Sequence, residues 1–116
     1  MTLGEFYEKI DSDYNDAMKR LMNERLMKKF VLKFMEDSSY AMLLAAVKAN
    51  NYEEAFEKAH TLKGVCQNLG FQNLSEPVSV LTDSLRNGNR PQNWNLMDVI
   101  TIEYEKTIAA IQQLDA

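Results

Sequence analysis

The chain contains one histidine, His60, and a lysine, a glycine and a glutamine follow it at Lys63, Gly64 and Gln67. In a helix, which turns about 100° per residue, all three lie one or two turns beyond the histidine on its outward side. An imidazole is largely neutral at pH 7, and its free ring nitrogen is a usable nucleophile. This spacing indicates a surface imidazole that could accept an anionic group, with a cation and an amide donor beside it.

A phosphoryl group is the anion that these neighbours suit. It would carry well over one negative charge and strong acceptor oxygens, which Lys63 and Gln67 could meet with hydrogen bonds. Gly64 costs roughly 0.5–1 kcal/mol relative to alanine inside a helix, and such a glycine often marks a close approach to the backbone. We therefore expect Gly64 to leave room for a partner beside the ring.

Three further side chains of the same helix are expected to assist. Phe56, four residues before His60, offers an apolar contact, and Glu53 lies on the same outward side. Glu57 either orients the ring by accepting a hydrogen bond from its other nitrogen or is a solvated surface charge. The chemistry is thereby assigned to the imidazole, the lysine and the glutamine, and partner binding to Gly64, Phe56, Glu53 and Glu57.

The elements that position these residues are predicted to be helices. Apolar residues recur every three or four positions and nowhere alternate over the length of a strand. Cap and turn residues divide this pattern into seven segments that cover roughly four-fifths of the chain, well above the usual third. Apolar residues mark three N-terminal helices: Phe6 to Ile10 in the first, Tyr14 to Leu21 in the second with Ser12 or Asp13 as its cap, and Met27 to Phe34 in the third, which begins after the cap Asn23. The four later helices are predicted to run from Ser38 or Ser39 through Val47, from the cap Asn50-Asn51 to about Leu69 with a stop at Gly70, over Asn73–Asn87 with Pro77 near its first turn, and over about Trp94–Leu114.

Short connections make consecutive helices antiparallel neighbours. We therefore predict an all-α fold: an antiparallel up-down-up-down four-helix bundle with short N-terminal helices capping one end, in a single domain over residues 1–116. In the fifth helix, the face turned to the bundle comprises Tyr52, Ala55, Ala59, Leu62, Cys66 and Leu69. Cys66 is thus expected in the core rather than paired with His60. Most of the seven methionines are also expected in the core, and Trp94 is expected to anchor the last helix.

The composition argues against several classes of function. A net charge of −4 does not suit a nucleic-acid partner, which requires clustered lysine and arginine. The longest apolar run, Ala41–Val47, is far too short to span a bilayer, and the N-terminus lacks the regions of a signal peptide. One cysteine indicates a reducing cytoplasm, and one histidine with one cysteine leaves zinc without a ligand set.

Two further kinds of site fail on spacing. The segment Asp11–Asn15 begins like a calcium loop, but Asp16 and Met22 occupy the positions that need glycine and glutamate. Helix capping accounts for this segment better. The glycines, at positions 4, 64, 70 and 88, cannot build a loop that cradles nucleotide phosphates. We therefore expect no metal, no other cofactor and no kinase activity of the chain's own.

The run His60-Thr61-Leu62-Lys63-Gly64, continued by Asn68-Leu69-Gly70, resembles the H-x-L-K-G-x-x-x-x-L-G signature of histidine-containing phosphotransfer domains. The resemblance implies that His60 takes a phosphoryl group from a receiver-domain aspartate and passes it to another receiver. It further implies that Lys63 stabilises the phosphate, that Gly64 admits the receiver and that Gln67 assists. Implied partners are response-regulator receiver domains and a hybrid sensor histidine kinase, with the domain itself a monomer.

The sequence departs from the family pattern at Val65-Cys66-Gln67, at Phe71 and at Leu81-Thr82. These departures leave the chemistry intact and affect the preference for partners. The alternative interpretation is a non-catalytic helical adaptor that binds signalling proteins without carrying phosphate. The two interpretations differ in whether His60 accepts a phosphoryl group.

Overall fold

The computed structural model describes residues 1–91 and 95–115, and every regular element in these ranges is helical. The α-helices of these ranges are α1 (Leu3–Lys9), α2 (Tyr14–Leu21), α3 (Glu24–Lys33), α4 (Ser39–Lys48), α5 (Tyr52–Leu69), α6 (Gln72–Leu85) and α7 (Asn95–Asp115). Short 3₁₀ turns follow α3 at Phe34–Glu36 and α6 at Arg86–Gly88. The all-α prediction is confirmed. The expected anchoring role of Trp94 lies outside the described residues.

The predicted cap residues begin three of the helices. Asp13 accepts backbone hydrogen bonds at the start of α2, Asn23 does so for α3 and Asn51 for α5. These bonds satisfy amide groups that have no partner within the helix. The fourth helix opens where predicted, with Ser38 as the N-cap residue of α4 and Ser39 as its first residue, and the Asp37 carboxylate accepts from the Ser39 amide at 2.8 Å.

The sixth helix differs from its prediction at both ends. It begins at Gln72, so Pro77 is its sixth residue and lies beyond the first turn. A proline there has no N–H to give the carbonyl four residues earlier. The helix ends at Leu85 rather than Asn87, because Asn87 adopts a left-handed conformation with φ of 65° inside the following turn.

A cluster of aromatic rings lies where α5 ends and α6 begins. Phe71, fully buried, stacks edge-on against Phe6 of α1 at 5.8 Å and against Phe34 at 5.2 Å between ring centroids. The buried Tyr7 hydroxyl donates to the Leu69 carbonyl at 2.6 Å, which ties α1 to the last turn of α5. The unusual Phe71 is therefore the centre of an aromatic cluster that fastens the N-terminal helices to the end of α5.

The expectation that most methionines are core residues is wrong. Only Met27 and Met97 are buried, whereas Met1, Met22, Met35 and Met42 are exposed and Met18 is half-buried. Met22 illustrates the reason, since it ends α2 in a left-handed conformation and its side chain is 82% exposed.

Within the described residues, none of the helices is long and apolar enough to span a membrane.

Replacing Gly70 by alanine is expected to destabilise the fold by about 3 kcal/mol. Gly70 has φ of +71°, and a Cβ there would lie 2.7 Å from the Cβ of Ala17. A left-handed conformation at a residue with a side chain lowers the free energy of unfolding by about 1–2 kcal/mol. Overpacking against Ala17 lowers it by about a further 1–3 kcal/mol. Urea unfolding followed by circular dichroism measures the change.

Gly64→Ala is the matched control for Gly70→Ala, because it makes the same chemical change in the interior of the helix that Gly70 terminates. A Cβ at Gly64 meets nothing within 4 Å, so this variant should be stabilised by about 0.5–1 kcal/mol. Equal stabilities of the two variants would contradict the close approach of Gly70 to α2.

Candidate functional site

The candidate site lies on α5, whose inner face is held against the rest of the fold. The residues buried on this face are Ala55, Ala59, Leu62, Cys66 and Leu69, and Tyr52 packs partly buried beside them. The predicted inner face is thus confirmed. Asn51 caps the start of the helix, and Gly70 ends it in a left-handed conformation. The opposite face of α5 is fixed by this packing and points outward.

His60 stands on that outward face and is exposed. Within residues 1–91 and 95–115 its ring forms no hydrogen bond or ion pair. The imidazole lies near the ring of Phe56, one turn earlier, with 6.1 Å between the ring centroids and an angle of 41° between the ring planes. Within the described residues the imidazole is therefore exposed and makes no polar contact.

Glu57 does not orient the imidazole in this structure. The Glu57 side chain is exposed and makes no hydrogen bond to His60, while its backbone carbonyl accepts from the Thr61 hydroxyl at 3.0 Å. The predicted orienting bond is absent because the exposed Glu57 carboxylate is already solvated by water.

Gly64 leaves an open space one turn beyond the imidazole. A Cβ built at Gly64 has no heavy atom within 4 Å apart from its own helix and chain neighbours. No packing requirement therefore selects glycine at this position. Because glycine has no side chain, nothing projects from Gly64 on the outward face of the helix. The sequence predicts such an open space one turn beyond His60.

Two polar side chains flank this open space. Lys63 is half-buried and Gln67 is exposed, and within the described part of the chain neither side chain is engaged in a hydrogen bond or ion pair. Burial of the lysine stem against the helix surface leaves its ammonium in water. Both groups are available to an anion attached to the imidazole.

Sequence reasoning missed Arg86, which comes to the site from the turn after α6. Its guanidinium lies 5.5 Å from the centre of the Phe56 ring and pairs with Asp83 at 3.0 Å. The ring of Phe56 thus lies near both a cation and the imidazole. Arg86 is far from His60 along the chain, and only the turn-forming Asn87-Gly88 hinted at a reversal there.

Glu53 lies on α5 close to the turn after α6. A Cβ on Gly88 would lie 3.1 Å from Cγ of Glu53, so the turn packs closely on the first part of α5. Gly88 has φ of +72°, a conformation that glycine adopts without strain. Of the side chains assigned to partner binding, Glu53 and Phe56 are thereby placed against this turn.

Cys66 and the aspartates of the calcium-like segment have structural surroundings in the described residues. Cys66 is buried on the inner face, and burial raises the pKa of its thiol, so it is not a thiolate partner for His60. No group of three or more histidine, cysteine or acidic residues capable of holding a metal occurs in this part of the chain. In the calcium-like segment, Asp13 caps α2 and Asp11 pairs with Lys106 at 2.6 Å.

A helical domain that presents a single, unobstructed imidazole with a cation and an open glycine beside it is of the class suited to carrying a group on histidine. The family model of the Hpt domain matches residues 26–115, which include all of α5. The chain belongs to the Hpt domain family. No match was found among curated proteins or among solved structures.

Proposed function

We propose that His60 is the residue that carries the phosphoryl group in this chain. Hpt domains act in histidine phosphotransfer within phosphorelays and have no kinase site of their own. The observation that carries the proposal is the unobstructed approach to His60, whose ring is exposed and unpaired beside the open space at Gly64. Within the matched range His60 is the only histidine.

The proposed reaction exchanges one bond to phosphorus for another. The free nitrogen of His60 attacks the phosphorus of a receiver's aspartyl phosphate, and the bond from phosphorus to the aspartate oxygen breaks. The carboxylate leaves with the electron pair, and the ring loses the proton from its other nitrogen to water. The receiver supplies the aspartate and the magnesium ion, so this chain needs to supply only the nucleophile and the docking surface.

The neighbours of His60 act on the phosphoryl oxygens and on the partner. Lys63 neutralises part of the new negative charge, and Gln67 donates from its amide. Arg86 adds a second cation at the edge of the site, held by Phe56 and Asp83. Phe56 and Glu53 form the adjoining contact for a receiver.

We further propose that α4 to α7 form an antiparallel, up-down bundle. Asn73, at the start of α6, donates hydrogen bonds to Glu103 and Thr107 in the middle of α7, with the first half of α7 left to run beside the rest of α6 in the opposite direction. Tyr40 of α4 stacks on Tyr104 of α7 at 3.9 Å, which supports closure of the ring of helices. A single domain over residues 1–116 fits the continuous core that these helices share.

The proposed partners are response-regulator receiver domains and a hybrid sensor histidine kinase, with this chain acting as a monomer in the cytoplasm. The test is to mix the purified chain with a panel of phosphorylated receivers from its source organism and follow labelled phosphate. Rapid transfer from at least one receiver is expected. Incubation with labelled ATP alone should leave the chain unlabelled, and robust labelling would contradict the role of a carrier.

Replacing Lys63 by alanine is expected to slow transfer by up to about fivefold. The ammonium is partly solvated, so its attraction to the phosphoryl group is worth about 1 kcal/mol or less, and about 1 kcal/mol corresponds to roughly a fivefold change in rate. Initial rates with a phosphorylated receiver measure the effect. Lys58→Ala is the matched control, because Lys58 is a half-buried lysine of the same helix on another side. Equal transfer rates for Lys63→Ala and Lys58→Ala would show that Lys63 does not act on the phosphoryl group.

A further inference from the structure

A groove of about 700 Å³ opens where the start of α1, the outer side of α3 and the end of α7 meet. Its apolar floor comes from Leu3, Leu32 and Leu114. Leu3 and Leu114 are buried, and Leu32 is half-buried. The groove is therefore built by three elements, and its floor offers carbon rather than hydrogen-bonding groups.

Three cations stand on the rim of this groove. Arg25, Lys28 and Lys29 line it from α3, and all three side chains are exposed. With Leu32 they occupy positions i, i+3, i+4 and i+7, which lie on one side of a helix. The cationic rim and the apolar floor are therefore neighbours on a single side of α3.

These cations have no ion-pair partner in the fold. None of the three makes an ion pair or a side-chain hydrogen bond with a residue that the structure describes. Glu24, the acidic residue that lines the groove, accepts a hydrogen bond from the Tyr14 hydroxyl, and Tyr14 is not part of the lining. The rim thus carries an excess of positive charge in a protein whose net charge is −4, and such a local field attracts anions.

The groove is separate from the phosphotransfer site. No residue of α5, the helix that carries His60, lines the groove. Phe30, which faces the cleft between α2, α3 and α5, is two residues from Lys28 and thus about 200° around the axis of α3. An occupant of the groove would therefore leave both the imidazole and that cleft open.

The floor and the rim together favour one class of ligand. Leucine side chains gain from burying hydrocarbon, whereas guanidinium and ammonium groups bind phosphate and carboxylate. A nucleotide fits less well, because none of the described residues that line the groove is aromatic and could stack on a base. Inorganic phosphate alone would leave the leucines without a contact. The ligand that suits both parts is an anion attached to a hydrocarbon chain.

We propose that this groove binds a single-chain anionic amphiphile, a molecule with one hydrocarbon chain and an anionic head group such as phosphate. The chain lies over Leu3, Leu32 and Leu114, and the head group accepts hydrogen bonds from Arg25 and Lys28. The ligand binds as a free molecule rather than within a bilayer, because the buried leucines lie below the rim of a concave groove, where a flat surface does not reach. The proposal is independent of the proposed phosphotransfer.

The test measures binding of dodecyl phosphate below the concentration at which it forms micelles, by isothermal titration calorimetry at about 50 mM NaCl, where exposed charges are only partly screened. Octyl phosphate should bind at least about tenfold more weakly, since each buried methylene contributes about fourfold. Dodecyl maltoside, which has the same chain and no charge, should also bind at least about tenfold more weakly. Amide chemical shifts of Thr2, Leu32 and Leu114 should move on addition of dodecyl phosphate.

Charge reversals separate the rim of the groove from the net charge of the protein. Arg25→Glu and Lys28→Glu should each weaken the binding of dodecyl phosphate about tenfold. Lys48→Glu, the matched reversal of an exposed lysine on α4, should leave it unchanged. Leu32→Ser should weaken dodecyl phosphate more than octyl phosphate, because the longer chain loses more contact. Circular dichroism and the Tm of each variant verify folding.

Three outcomes would overturn the proposal. One is equal weakening by Lys28→Glu and Lys48→Glu, which would indicate attraction to net charge alone. Another is equal binding of octyl and dodecyl phosphate, which would show that the chain does not contact the leucines. The third is no detectable binding of free dodecyl phosphate, including the case in which vesicles that contain phosphatidic acid bind the protein instead. His60→Gln should bind dodecyl phosphate as the parent does, which distinguishes this groove from the phosphotransfer site.

Discussion

The variant His60→Gln is expected to lose phosphoryl acceptance from a phosphorylated receiver by at least about a thousandfold, to below detection. Glutamine keeps the size and polarity of the side chain but has no nucleophilic ring nitrogen. Its amide cannot form the bond to phosphorus, so the residual contacts of Lys63 and Gln67 have nothing to stabilise. Single-turnover transfer of labelled phosphate from a receiver measures the loss.

The substitution His60→Gln should leave the stability of the fold nearly unchanged. His60 is exposed and makes no hydrogen bond to the described residues, and surface substitutions of this kind stay within about 0.5 kcal/mol. The Tm and the circular dichroism spectrum of the variant are therefore expected to match those of the parent. If His60→Gln still accepts phosphate, the acceptor is another residue. If the parent never accepts phosphate from any receiver, the interpretation as a non-catalytic adaptor is favoured instead.

The variant Gly64→Gln is expected to slow transfer from a receiver about a hundredfold while slightly raising stability. A glutamine side chain at this position would fill the open space one turn from His60, where a receiver must approach. A hundredfold change corresponds to about 2.7 kcal/mol in the barrier. Gly64→Ala should give an intermediate rate, because one methyl group reaches less far.

A small phosphate donor separates docking from chemistry in these Gly64 variants. Phosphoramidate is small enough to reach the imidazole past a side chain at position 64, so it should label Gly64→Gln nearly as fast as the parent. Slow labelling by both donors would mean that the glutamine disturbs the ring itself. Unchanged transfer from a receiver would show that Gly64 is not the clearance for docking.

The two predictions rest on a helix that the sequence defined closely. The bounds of α5, its cap at Asn51 and its end at Gly70 agree with the structure. Local rules suffice there because cap bonds, the left-handed glycine and an apolar period of three to four residues all act within a few positions of the chain. The outward position of His60 follows from the same periodicity.

Prediction was weaker where distant segments meet. Most of the seven methionines were expected in the core, yet four of them are exposed. The helical period shows which residues share a face, but it does not show whether another element covers that face. The exposure of Leu26 and Phe30 on α3 has the same origin, since no described segment packs over them.

The amino-acid sequence by itself determined the helical class, the spans of most helices and the grouping of Lys63, Gly64 and Gln67 around His60. These properties depend on torsional preferences and side-chain spacing along a continuous stretch of chain. Tertiary structure alone decided that Arg86 reaches Phe56 and that Phe71 joins α1 to α5. It also decided that a groove opens beside the cations of α3. Such contacts depend on how separately formed helices pack, because the energy that selects them is shared among residues distant in sequence.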